Sequence, residues 1–219
     1  MKRDDITFLK LQKILHLANS EGFLTANASR EGIEHSKGFL FSEENSSFLK
    51  SLKNEDLAID LGTGGGLPGL VLSTFTNCFW LLTDRGERRC DFLKKAVFEL
   101  GLDARVEVVK CSVEELSRGK YREKVKLVTA RSFGPPAITA ECATPFLRED
   151  GLFIVSEPPS DNSIENDNRW PPDGLNTLGL KQKEQWHTGS AGYRAFNLDI
   201  KCPEIYPRRF SKIVKRPVF

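Results

Sequence analysis

The segment Asp60-Leu61-Gly62-Thr63-Gly64-Gly65-Gly66-Leu67-Pro68-Gly69 follows a short apolar run and precedes a helical one. Gly62, Gly64 and Gly66 in that position let a backbone turn tightly and approach a ligand with no side chain in the way. A helix opening near Leu67 adds free N–H groups and the positive end of its dipole. Such a loop accepts an adenosyl or phosphate group over the carboxyl end of a strand. Gly64 to Gly69 also satisfies the G-x-G-x-x-G dinucleotide fingerprint, so the glycines alone leave two cofactor classes open. Asp84, about twenty residues further on, suits the ribose hydroxyls of either. Asp60 separates them, because a carboxylate just ahead of the glycines attracts a cationic amino-acid tail and repels a pyrophosphate. The expected cofactor is S-adenosyl-L-methionine, held by Asp60, Gly62, Gly64 and Asp84.

The elements that must position these residues form a regular alternation. Leu57-Ala58-Ile59 reads as a buried strand, Leu67 to Phe75 as a helix and Cys78 to Leu82 as a second strand, the opening of a parallel sheet. Glu87 to Leu100 carries Phe92, Leu93, Ala96, Val97 and Leu100 on one stripe and stops at Gly101. Strands at Val106 to Val109, Val125 to Thr129 and Gly151 to Val155 follow, with a short helix over Ser112 to Leu116 and one opened by Pro135-Pro136. Lys181 to Trp186 and Tyr193 to Lys201 are joined by a link too short for a parallel crossover, so they pair antiparallel. A dinucleotide fold normally continues with parallel strands, and this hairpin also favours the methyl donor. The predicted fold is α/β, a Rossmann-like class I methyltransferase with a mostly parallel seven-stranded sheet and a terminal antiparallel hairpin.

Helical spacing over Ile6 to Ala18 and, less regularly, Ile33 to Leu52 marks 1–54 as an N-terminal helical extension, with the cofactor domain over 55–219. Within it, 157–175 reads as a polar, proline-broken loop and 201–219 as a basic tail. Arg208, Arg209, Lys212, Lys215 and Arg216 in that tail suit a phosphate backbone, although a solvated surface serves as well. Five scattered cysteines and three histidines show no metal-ligand spacing, and no apolar run approaches a membrane span. No metal, no membrane and a cytoplasmic location are expected.

The glycine loop ending in Leu-Pro-Gly resembles the RsmG (GidB) family, which methylates guanine N7 in 16S ribosomal RNA. So do Leu82-Thr83-Asp84, Arg88-Arg89-x-x-Phe92-Leu93, Ser112-Val113-Glu114-Glu115, Ala130-Arg131-Ser132-Phe133 and Tyr206-Pro207-Arg208-Arg209. The resemblance implies that Gly62 and Leu67 line the cofactor pocket and that Val113 and Glu114 hold the adenine edge. It places Arg131 at the mouth shared with substrate, and makes ribosomal RNA or the small ribosomal subunit the partner. Without it, Val113 reads as core and Glu114 as a first-turn helix acid. No catalytic base is named, since N7 has a free lone pair and no proton to lose. Two departures stand out: Ser156-Glu157 replaces the family's usual Lys-Gly, and Glu34-His35-Ser36 keeps only a histidine of its N-terminal signature. Three other readings therefore stay open: a related methyltransferase acting on a small molecule or protein, an RNA-binding protein without turnover, and, more remotely, a NAD dehydrogenase.

Overall fold

The computed structural model describes residues 3–42, 46–158 and 169–219. Two helices come first, α1 (Arg3–Ser20) and α2 (Ala26–Gly38), then a short α3 (Ser46–Lys50). The alternating part comprises β1 (Leu57–Leu61), α4 (Gly69–Phe75), β2 (Phe79–Asp84), α5 (Glu87–Leu100), β3 (Val106–Lys110), α6 (Val113–Leu116) and β4 (Val125–Ala130). It continues through α7 (Pro136–Ala143), a 3-10 turn over Thr144–Phe146 and β5 (Leu147–Glu157). Then come α8 (Pro172–Leu178), the hairpin β6 (Leu180–Thr188) and β7 (Ala191–Leu198), and α9 (Phe210–Lys215).

The seven strands lie in the order β3-β2-β1-β4-β5-β7-β6. β1 to β5 are parallel, and β7 is antiparallel to both β5 and β6. The chain reverses its direction of travel across the sheet between β1 and β4, so a crevice opens at their carboxyl ends, where ligands of such sheets bind. Strand pleating sends alternate side chains to two cores. Ile59, Leu61, Val128, Ala130 and Phe153 face one with Phe146 and Leu178. Ala58, Leu82, Leu127, Leu152 and Ile154 face the other with Leu70, Leu93 and Val97. Each of the larger of these buried side chains contributes about 1.5–3 kcal/mol.

The first two helices close one side of the sheet's ligand edge. Leu11 and Leu15 of α1 and Ile33 of α2 pack with Leu67 and Val71 in a third buried cluster. Its fit is tight: a Cβ on Gly65 would stand 2.5 Å from Leu24, and one on Gly32 2.7 Å from Leu67.

Several boundaries differ from the sequence expectation. The second helix starts at the Thr25 cap, whose hydroxyl accepts the Ala28 N–H at 3.2 Å, and ends at Gly38 rather than running from Ile33 to Leu52. Phe39 turns inward there to meet the Tyr193 ring at 5.1 Å. The stretch read as a loop over 157–175 contains the start of α8, opened by Pro172 and closed by Gly179 at φ +84°; its residues 159–168 lie outside the described part. The basic tail carries the short α9, anchored by buried Ile213.

Candidate active site

The glycine loop leaves β1 on a scaffold of internal hydrogen bonds. The Thr63 N–H donates to the Thr83 carbonyl at 2.8 Å, and the Gly66 and Leu67 N–H groups donate back to the Thr63 carbonyl at 3.0 and 3.2 Å. Gly62, at φ +65°, needs the left-handed conformation, and a Cβ there would stand 2.9 Å from the Phe133 ring. The loop floors a cavity of about 400 Å³ whose lining includes Gly62, Gly64, Leu67, Arg89, Arg131 and Ser132.

Asp60 does not face that cavity. It is fully buried beneath the loop, where one oxygen accepts the Gly69 N–H at 2.9 Å and the other the Thr129 hydroxyl at 2.9 Å. Burial pushes its carboxyl up to about 7, against the lowering effect of those hydrogen bonds and of Arg131. The expectation that Asp60 meets a cationic tail directly is corrected: it ties the loop to α4 and β4, because a side chain alternating with Ile59 and Leu61 must point to the α4 side of the sheet.

Asp84 ends β2, as expected, but its carboxylate is already engaged. It accepts the Gly64 N–H at 3.1 Å, the Gly86 N–H at 2.7 Å and the Arg89 guanidinium at 3.2 Å. Arg89 is the half-exposed partner of that pair. Glu114, in the first turn of α6, is likewise held by Arg85 at 2.8 and 2.9 Å, and that guanidinium lies 4.2 Å over the Phe210 ring. Val113 is buried in the core beside Ile59 and Leu61. Asp84, Val113 and Glu114 are absent from the lining of the glycine-loop cavity, which Gly62, Gly64, Leu67 and Arg131 all border.

Arg131, just beyond β4, is shared by both cavities, with Ala28 and Ser132. A second cavity of about 440 Å³ adjoins, with His35, Arg131, Phe133, Ser156, Glu157 and Trp170 in its wall. Burial lowers the Arg131 pKa, and its Nη1 has no hydrogen-bond partner in the protein. His35 is brought here by Tyr193, whose hydroxyl donates to the His35 carbonyl at 2.7 Å and whose ring lies 5.4 Å away. Burial, then Arg131, pushes its imidazole down to about 4, so it is neutral at physiological pH. Nothing in the sequence around His35 marks it as buried; the β7 contact gives it its place. Glu157, which stands where a cation was expected, accepts the Trp170 indole N–H at 2.6 Å and pairs with Arg169 at 3.2 Å and Arg194 at 3.8 Å. The anion is thereby matched locally.

The basic tail divides. Arg208 is not a surface cation: its backbone N–H and its Nε both donate to the fully buried Glu141 at 2.8 Å, and its Nη2 bonds the other carboxylate oxygen. Arg118 and Arg122 fasten the same segment through the Pro207 and Tyr206 carbonyls at 2.7 Å. Arg209, Lys212, Lys215 and Arg216 remain exposed. Among the described residues no cluster of His, Cys, Asp and Glu could hold a metal ion, and no helix is long and apolar enough to cross a membrane.

The glycine cradle, where a Cβ on Gly64 would stand 3.8 Å from the Gly62 carbonyl oxygen on the cavity floor, fits an adenosyl-bearing cofactor. Comparison with known proteins agrees. The family model described as GidB, rRNA small subunit methyltransferase G, matches residues 6–185. The ribosomal RNA small subunit methyltransferase G of Moorella thermoacetica is 32% identical over 168 residues, covering 73% of this chain and 68% of that one. Its counterpart from Fervidobacterium nodosum is 27% identical over the whole of both chains. Among solved structures, geranyl diphosphate C-methyltransferase from Streptomyces coelicolor A3(2), in complex with S-adenosyl-L-homocysteine, shares the fold. Its TM-score is 0.52 at 12% identity, over 71% of this chain and 77% of that one. The chain belongs to the rRNA small subunit methyltransferase G family, and is an S-adenosylmethionine-dependent methyltransferase with the class I fold.

Proposed function

We propose that the protein methylates N7 of a guanine in 16S ribosomal RNA, with the methyl donor over the glycine loop and the target base in the adjoining cavity. The observation that carries this is the contiguity of the two cavities through Arg131 and Ser132 at the end of β4. Gly62, Gly64, Leu67 and Arg131 are assigned to the cofactor directly, Asp84 and Glu114 after their arginine partners move, and Asp60 and Val113 as supports. When bound, S-adenosylmethionine supplies a methyl group on a positively charged sulfur. Guanine N7 attacks with an in-plane lone pair and gives up no proton, so the residues are needed to align and to exclude water rather than to act as a base. A neutral His35 and a cationic Arg131 suit that task. Arg131 also answers the electron-rich O6 of the base and leaves the N7 lone pair free.

Arg209, Lys212, Lys215 and Arg216 are assigned to the phosphates of the RNA, and a cytoplasmic location follows from that partner. The test is calorimetric titration with S-adenosylmethionine, then labelled-methyl transfer to 16S RNA and to small-subunit particles lacking the modification. Incorporation at a guanine whose imidazole ring becomes labile to alkali, the mark of an N7-alkylated purine, is the expected result. Cofactor binding without transfer to either RNA would overturn the acceptor, and failure to bind the cofactor would overturn the site.

A further inference from the structure

We infer that Glu157 selects guanine as the target base, by accepting hydrogen bonds from its N1–H and its N2 amino group. The inference rests on the adjoining cavity being the acceptor site. Beside Nδ1 of His35, two side-chain atoms in its wall are buried and lack a hydrogen bond in the protein: Oε2 of Glu157 and Nη1 of Arg131. One is an acceptor and the other a donor. Guanine presents the matching pattern, with N1–H and N2–H donors on its Watson–Crick edge and the O6 and N7 acceptors on the edge beyond.

Docking the donor edge on Glu157 sets O6 toward Arg131 and leaves the N7 lone pair free on the far side of the purine. Arg131, with Ala28 and Ser132, borders the glycine-loop cavity as well. Recognition and alignment are then the same event. Adenine fails at both ends, since it offers a lone pair at N1 and an amino group where guanine has O6. Phe133, Val155 and Trp170 supply the apolar wall on which a base can lie.

The carboxylate is held for this role from three sides. Its Oε1 is fixed by the Trp170 indole at 2.6 Å, and Arg194 lies 3.8 Å away. The Arg169 guanidinium stands 3.2 Å from Oε2 but outside hydrogen-bond geometry, so it balances the charge without occupying that oxygen's acceptor direction. A base approaches Oε2 beside Arg169, which is about one-third exposed.

The test compares two acceptors. Small-subunit particles are reconstituted with 16S RNA carrying guanosine at the mapped target, or inosine there by ligation; inosine keeps N1–H, O6 and N7 and lacks only the N2 amino group. For the unchanged protein kcat/KM should fall about tenfold or more from guanosine to inosine, the worth of one hydrogen bond to a charged acceptor. For Glu157→Gln the guanosine value should drop about tenfold to hundredfold, and the guanosine-to-inosine ratio should collapse to about one. The ratio within each protein cancels any loss of folded enzyme, so a merely structural Glu157 would leave it unchanged. That result overturns the inference. If Glu157→Gln does not fold, Glu157→Asp, which keeps the charge and shortens the reach, is read on the same ratio and should lower it. Absence of transfer to guanosine particles by the unchanged protein overturns the acceptor reading, and this inference with it.

Discussion

Replacing Arg208 separates a structural cation from an RNA-binding one. Glu141 is fully buried in α7 and takes three of its hydrogen bonds from Arg208, one from the backbone and two from the guanidinium. Arg208→Met leaves that carboxylate buried with only the backbone donor, and stranding one member of a buried pair costs about 3–5 kcal/mol. At about 2–4 °C per kcal/mol for a chain of this size, the melting temperature should fall by roughly 10 °C. The compensating pair Glu141→Met with Arg208→Met, apolar on both sides, should recover much of the loss. RNA affinity measured against salt supplies the second axis, since each phosphate contact contributes about 0.7 to the slope of log K against log salt on a single strand. Arg208→Met should leave the slope unchanged, whereas neutralising Arg209, Lys212, Lys215 and Arg216 together should reduce it by up to about 3 with little effect on melting. An Arg208→Met protein that melts as before and binds RNA with a shallower slope would refute the reasoning.

Two further outcomes follow from the glycine loop. Burial raises the Asp60 carboxyl from 3.8 to about 7. Below pH 4 folded and unfolded chains are both protonated, so stability is lost as pH rises between about 4 and 7. The loss is on the order of 4 kcal/mol at about 1.4 kcal/mol per pH unit. Asp60→Asn, which keeps an acceptor for the Gly69 N–H, should flatten that decline, and parallel urea-unfolding curves across pH 4.5 and 8 for the two proteins would contradict it. Gly62→Ala combines a left-handed backbone with a Cβ 2.9 Å from Phe133, whereas Gly101→Ala meets the same backbone strain at φ +67° with nothing within 4 Å. Each should lose about 1–2 kcal/mol of stability, and only Gly62→Ala should weaken cofactor binding by calorimetry.

The parts of the molecule legible in the sequence are those set by local periodicity. The β-α alternation from Leu57 to Val155, the glycine loop and the antiparallel hairpin all follow from spacing and turn length, and Asp84 stands at the end of β2 where its offset from the glycines put it. What escaped was the partner of each charge. Asp60 reads as a ligand until Gly69 and Thr129 are seen to consume it, and Arg208 reads as a surface cation until the chain brings it across 67 residues to Glu141. A signal for the latter existed: Glu141 interrupts the apolar run of α7, and a carboxylate there demands a cation from elsewhere. His35 carried no such mark, because its burial depends on Tyr193 arriving from β7. The start of α2 was readable from the Thr25 cap and that of α8 from Pro172, both outweighed by weak helical periodicity and polar composition.

The two cavities differ in how completely their polar groups are paired, and the difference bears on stability. Around the glycine-loop cavity, though outside its wall, Asp60, Asp84 and Glu114 are all engaged within the protein. On the acceptor side His35 Nδ1, Arg131 Nη1 and Glu157 Oε2 are buried without hydrogen bonds, at about 1–3 kcal/mol for each such group. A wall of that kind is selected for what it binds rather than for the folded state, so removing one of these atoms should stabilise the chain at the expense of activity. His35 is the cleanest case, since its ring already packs against Phe39 at 6.1 Å and Tyr193 at 5.4 Å. His35→Phe keeps that aromatic cluster and deletes the unpaired nitrogen. It should raise stability by about 1 kcal/mol in urea unfolding, leave S-adenosylmethionine affinity as it was, and lower kcat for RNA methylation. A destabilised His35→Phe protein with intact turnover would show that the imidazole belongs to the core and not to the acceptor site.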